Sequence, residues 1–130
     1  MIQALKEVVN PDLRERGFQG SFPHFRRRSG AVLHLLSFQF NRHGGSFAVE
    51  VGRCSSDGLE WPLDKRLPAS QVTVFHLHWK ERLRLGAIPS GTDHWFKFDQ
   101  LLESDRHNKA ARAVLPYLDS MADSWWNRPM

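Results

Sequence analysis

Apolar residues recur at Ile2, Leu5, Val8, Val9 and Leu13, the spacing of one helix face, and predict a helix from residue 2 to about 16. Pro11 falls inside it, so the helix either kinks there or restarts with Asn10 as N-cap and Pro11 at the first position. Gly17 followed by Phe18 has the form of a C-terminal glycine cap with its apolar contact. Strand patterns follow. Residues 21–28 carry Phe22 and Phe25 beside Arg26, Arg27 and Arg28. Residues 31–41 begin apolar and then set Leu36, Phe38 and Phe40 against Ser37, Gln39 and Asn41. Residues 46–52 set Phe47, Val49 and Val51 against Ala48 and Glu50, and the link Arg42-His43-Gly44-Gly45 is a hairpin signal. An antiparallel meander is expected.

Residues 53–70, with Gly58, Pro62, Pro68 and mixed charge, read as a long surface loop, with Trp61 folding back over the core. The run Gln71 to Trp79 is β-rich. After it Lys80, Arg82 and Arg84 alternate with Glu81, Leu83 and Leu85, which is strand periodicity with a basic face. A helix from Ser70 to Leu83 competes, because Val72, Phe75, Trp79 and Leu83 fit one helical stripe; the opening Val-Thr-Val favours strand. Pro89-Ser90-Gly91 is a turn, and Trp95 to Phe98 a short strand. From about Lys109, the positions Ala111, Val114, Leu115, Leu118, Met121, Ala122 and Trp125 mark an amphipathic helix that Pro116 kinks or divides. The expected fold is α+β. One antiparallel sheet of about five strands carries an N-terminal and a C-terminal helix, all in a single domain spanning 1–130.

Composition narrows the class without naming an activity. With 41% hydrophobic and 25% charged residues the chain is an ordinary globule, which excludes disorder, collagen and coiled coil. Its excess is in aromatics, nine Phe and five Trp, and in arginine, 13 of the 18 basic residues. No stretch is long and apolar enough to span a membrane, and the N-terminus reaches charge at once, so no signal peptide and a cytoplasmic location are expected. A single Cys54 reads as a small strand residue. The net charge of +4 is unevenly spread: no acid lies between Glu15 and Glu50, where five arginines do. A basic face of this kind meets an acidic protein, a nucleic acid or an anionic ligand, or is simply solvated.

Candidate chemistry is sparse. His76 and His78 would share a strand face with His94 nearby, but His-x-His alone is common in strands, so packed or solvated histidines, no metal and no cofactor are expected. There is no Gly-x-Ser-x-Gly elbow, P-loop or Gly-x-Gly-x-x-Gly, and the acids are scattered, so no catalytic residues are assigned. An enzyme of unknown type stands as the third reading. Arg26 to Arg28 flanked by Phe22 and Phe25, extended by Arg82 and Arg84, would suit a nucleic acid or an anionic ligand, the alternative reading. The inventory fits protein binding better, since Trp and Arg are the residue types enriched in binding hot spots. Phe22, Phe38, Phe40, Phe47, Phe75, Trp79, Trp95 and Phe98 lie on strand patterns and would build the core. Trp61 and the pair Trp125–Trp126 are left over, and one of that pair should be partly exposed. The candidate binding residues are Arg26, Arg28, Trp61, Arg82, Arg84, Asp93, Trp95 and Trp126.

The order Gly17-Phe18, Phe38-Gln39, Arg82-Leu83-Arg84-Leu85-Gly86, Asp93-His94-Trp95-Phe96 and Leu115-Pro116 resembles the family called domain of unknown function 4304, small and mostly bacterial proteins. The resemblance spans nearly the whole chain. Its Asp-x-Trp-Trp segment here ends in Phe96, which implies packing rather than chemistry at that position. The family implies a fold and no activity. By analogy with other small bacterial domains it points to a non-enzymatic protein-binding module, immunity- or antitoxin-like, whose partner would be a toxin-like protein.

Overall fold

The computed structural model describes residues 1–60, 66–87, 93–99 and 104–129. Helix α1 (Ile2–Glu15) buries Ala4, Leu5, Val9 and Leu13 and runs through Pro11 without restarting at Asn10. Its end is the expected cap. Gly17 has φ +92°, its N–H bonds the Arg14 carbonyl, and Phe18 N–H reaches back to the Leu13 carbonyl.

Strands β1 (Gln19–Ser21), β2 (His24–Ser29), β3 (Val32–Phe40) and β4 (Ser46–Ser55) form the meander, each antiparallel to the next. The free side of β4 takes two short strands, β7 (Arg82–Arg84) against Glu50–Gly52 and β8 (Phe96–Lys97) against Ser46–Phe47. A separate small hairpin joins β5 (Leu59–Glu60) to β6 (Arg66–Leu67) within the segment expected to be loop. Trp61 and the Pro89-Ser90-Gly91 turn lie outside the described residues.

Alternation along the strands gives the sheet two different faces. On one, Phe25, Leu36, Phe38, Phe47, Val49, Val51, Leu83 and Phe96 pack against α1 and the C-terminal helices. Those helices are α2 (Arg106–Arg112), α3 (Leu115–Tyr117) and α4 (Asp123–Trp126), with a π-turn at Leu118–Ala122 between the last two. Pro116 sits in the first turn of α3, where its missing N–H costs nothing, so it divides the helix as expected. Phe96 is buried and stacks on Phe47 with centroids 5.3 Å apart, a packing position.

The other face corrects the sequence reading. Residues 69–81 are neither strand nor helix; they make successive 3-10 turns at Ala69–Gln71, Val74–His76 and Trp79–Glu81. Val72, Val74 and Leu77 come down on Leu33 and Leu35 as a second, smaller core. Gly52 admits them, because a Cβ there would collide with Leu77 Cδ1 and sit 3.1 Å from the Glu81 carbonyl oxygen. This zigzag presents Val72, Val74 and Leu77 to the sheet and turns Phe75 and Trp79 outward, so neither belongs to the core as expected; Trp79 is 67% exposed and Phe75 36%. Trp126, expected among the leftovers, is core at 2% exposure. No helix among the described residues is long and apolar enough to cross a membrane.

Candidate functional site

On the face covered by the 3-10 turns, one row of residues crosses four strands. His24 of β2 stands opposite Ser37 of β3, Ser37 opposite Glu50 of β4, and Glu50 opposite Arg84 of β7. Neighbouring strands lie about 4.8 Å apart, so the four side chains form a continuous polar line. His24 Nδ1 and Ser37 Oγ are 2.8 Å apart. Arg84 donates through Nε and Nη2 to Glu50 Oε1 at 3.0 and 2.9 Å, and through Nη1 to Asp93 Oδ1 at 2.6 Å. Trp95 Nε1 donates to the second Asp93 oxygen at 2.9 Å, and the Arg84 guanidinium lies 5.1 Å from the Trp95 ring centroid. Arg82 donates to Glu50 Oε2 at 3.5 Å and to the Leu77 carbonyl at 3.0 Å, under the Phe75 ring.

The row suits positioning better than bond making. Ser37 and His24 are within hydrogen-bond reach, as a nucleophile and base would be. But Ser37 is only 1% exposed, and the Glu50 oxygens are taken up by two guanidinium groups. Burial, then Arg26 and His76, hold His24 below the usual histidine range. Two guanidiniums against two carboxylates leave the cluster formally neutral, a rigid polar floor.

Aromatics and cations stand on its rim. Lys80 Nζ is 5.5 Å from the Trp79 ring, Arg82 5.9 Å from Phe75, and Arg128 3.7 Å from Trp125. Trp125 Nε1 donates to the Glu81 carbonyl at 3.2 Å and Arg128 pairs with the Glu81 carboxylate at 3.0 Å, which ties the last helix to the Trp79 turn. Beside Trp125 an apolar recess of about 420 Å³ is lined by Leu83 and Met121.

A family model, Domain of unknown function (DUF4304), matches residues 9–127. The chain belongs to that family. Searches of curated proteins and of solved structures found no significant match.

Two of the motifs that carry the DUF4304 resemblance, Arg82 to Gly86 and Asp93 to Phe96, thus meet in space. Arg82 and Arg84 converge on Glu50, and Asp93 and Trp95 join the cluster through Arg84. The motif's Gly86, at φ +89°, lets the His94 ring lie where a Cβ would be. The other candidate residues are elsewhere. Arg26 occupies the next row, across Leu35 and Gly52 from Arg82 and so about 14 Å away by strand spacing. Arg28 lies further along β2 and donates to the Ser56 carbonyl at 3.3 Å. Trp126 is inside the core, where its Nε1 donates to the Leu35 carbonyl at 3.2 Å. Its neighbour Trp125 is the partly exposed member of the pair.

His76 and His78 do not share a strand face. Each caps a 3-10 turn, His76 Nδ1 accepting from Thr73 N–H at 3.0 Å and His78 Nδ1 from Lys80 N–H at 3.2 Å. His94 instead packs on Phe96 and Tyr117. Among the described residues no group of three His, Cys, Asp or Glu is placed to hold a metal ion. Cys54 lies in β4, and burial pushes its thiol pKa up.

Glu50, His24, Ser37, Phe75 and Trp79 are the site residues that sequence reasoning missed. Glu50 left a trace, as the one acid between Glu15 and Asp57 and on the polar side of an otherwise apolar strand. Ser37 and His24 left none, because ordinary alternation also explains them.

Proposed function

We propose that this protein is a non-enzymatic module that binds another protein through the rim formed by Phe75, Trp79 and Arg82. The observation that carries the reading is Trp79, a large ring 67% exposed on a turn whose neighbours are fixed to the sheet and to the last helix. A rigid exposed Trp beside arginine is the composition of a binding hot spot. The occupant that suits it is a partner segment with carboxylates beside an apolar side chain. Lys80, which has no ion pair among the described residues, lies 5.5 Å from the Trp79 ring, and the recess at Leu83, Met121 and Trp125 accepts an apolar group. An immunity-like role is the narrower form of this reading. A toxin-like gene directly upstream supports it, and a neighbourhood without one counts against it.

A photo-crosslinking residue at position 79, used in the cells that make the protein, should yield one discrete heterologous adduct. The purified partner should then bind wild type about thirty-fold more tightly than Trp79→Ala, with an association rate that falls as salt rises. Equal affinity for the two proteins, or adducts only with second copies of this chain, overturns the proposal.

A further inference from the structure

Arg26, Arg27 and Arg28 are consecutive on β2, so alternation sends the first and third to one face and the second to the other. All three nevertheless line one recess of about 320 Å³, together with Gln19 and Ser70. The reason is the sheet edge. The pairing of β1 with β2 ends at Gln19 opposite Arg26, so from Arg27 to Ser29 the strand has a neighbour only on the β3 side. Arg27 therefore borders the recess at the open edge, while its guanidinium stays on the helix side between the Phe18 and Trp126 rings.

This recess is electrostatically incomplete. Its lining contains no carboxylate, and among the described residues none of the three arginines is ion-paired. Each donates only to neutral acceptors. Arg26 Nη2 reaches the Val72 carbonyl at 3.2 Å, Arg27 Nη1 the Arg16 carbonyl at 2.9 Å, and Arg28 Nη2 the Ser56 carbonyl at 3.3 Å. Arg26 Nε is buried and has no acceptor among the described residues. A buried donor left unpaired is destabilising, and a native structure keeps few of them without a use. Burial lowers the Arg27 pKa, an effect that Arg16 adds to and Asp123 opposes.

We infer that this recess binds the phosphate group of a small ligand, with Arg26 and Arg28 as its main donors. Phosphate matches the guanidinium fork and offers several acceptor oxygens to converging N–H groups. The volume is at the small end of ligand pockets. A nucleic acid fits less well, because the flanking rings are not offered for stacking: Phe25 is buried and Phe22 stacks on Phe38 at 5.2 Å. Free phosphate and a phosphomonoester share the recognised chemistry, and titration separates them.

Isotope-labelled protein is titrated with inorganic phosphate, with a nucleoside 5′-monophosphate and with chloride at matched ionic strength. Either phosphate should give saturable shifts at the amides of residues 26–28 and at the Arg26 Nε–H signal. Tighter binding of the monophosphate assigns a phosphorylated small molecule, and equal binding assigns free phosphate. Arg26→Gln and Arg28→Gln should each weaken binding about tenfold, as loss of a charged hydrogen bond does. The exposed Arg28 variant and the wild-type Nε–H signal carry the test if Arg26→Gln does not fold. Shifts that chloride reproduces, affinity unchanged in Arg28→Gln, or saturable binding of a single-stranded oligonucleotide alone each overturn the inference. Trp79→Ala should bind phosphate as wild type does, so failure at this recess is separable from failure of the protein-binding rim.

Discussion

Arginine is kept on the two faces of this sheet by different means. On the helix side Arg27 lies between the rings of Phe18 and Trp126, with its guanidinium 4.6 and 5.1 Å from their centroids. It donates to the Arg16 carbonyl and to His34 Nδ1, and no carboxylate among the described residues pairs with it. His34 is buried, stacks on Trp126 and is held neutral: burial, then Arg27 and Arg53, bring its pKa down to about 4. On the other side Arg84 is met by two carboxylates, Glu50 and Asp93, and a Trp N–H completes the set. Where helices seal the face, ring surfaces and neutral acceptors hold the cation, so its environment is inseparable from the packing of the core. At the β7 end of the other face, beneath the short turns, charge neutralisation holds Arg82 and Arg84, and aromatic rings are released to the surface.

The contrast is broken most severely at Trp126. Trp126→Ala removes a buried ring, one side of the Arg27 sandwich and the bond to Leu35, and should cost about 3–5 kcal/mol of unfolding free energy in denaturant titration. On the opposite face Glu50→Gln leaves Arg82 and Arg84 short of their shared counter-charge in a half-buried setting. It should cost about 2 kcal/mol by the same measurement, and a loss below half a kcal/mol would show that Asp93 alone suffices. Next comes pH. Between about pH 7 and pH 5 the unfolded chain protonates its histidine at the ordinary value of 6.5, whereas folded His34, near 4, does not. Stability should therefore fall as pH falls, by about 1–2 kcal/mol from this group, and His34→Gln should flatten that part of the curve. His24 is also held low and acts in the same direction, but it is present in both proteins and drops out of the difference. Trp79→Ala should be nearly silent, within about 0.5 kcal/mol of wild type, because the ring is mostly in water already. A larger loss would mean that Trp79 supports the fold rather than the proposed interface.

Much of the fold could be read from the order of residues. The first helix and its glycine cap, the meander with its Gly44-Gly45 hairpin, and the division at Pro116 are local or periodic features, and each is present. The segment 71–79 was illegible because Val, Phe, His and Trp satisfy strand and helical periods alike, while a run of 3-10 turns has no period of its own to display. That ambiguity also put Phe75 and Trp79 in the expected core. The candidate site was half legible. Arg82, Arg84, Asp93 and Trp95 announced themselves as short motifs, but nothing in the chain said that the two arginines share Glu50 and that Arg84 gathers the other two.

The sequence by itself determined what periodicity and local chemistry can carry: the class of fold, the strand faces, the caps and the family. Only the tertiary structure decided which of two adjacent tryptophans is buried, which arginines receive carboxylates, and where Arg26 and Arg28 border a recess without one. Those outcomes depend on strand register and on which element covers which face. They are relations between residues tens of positions apart, and no local preference encodes them.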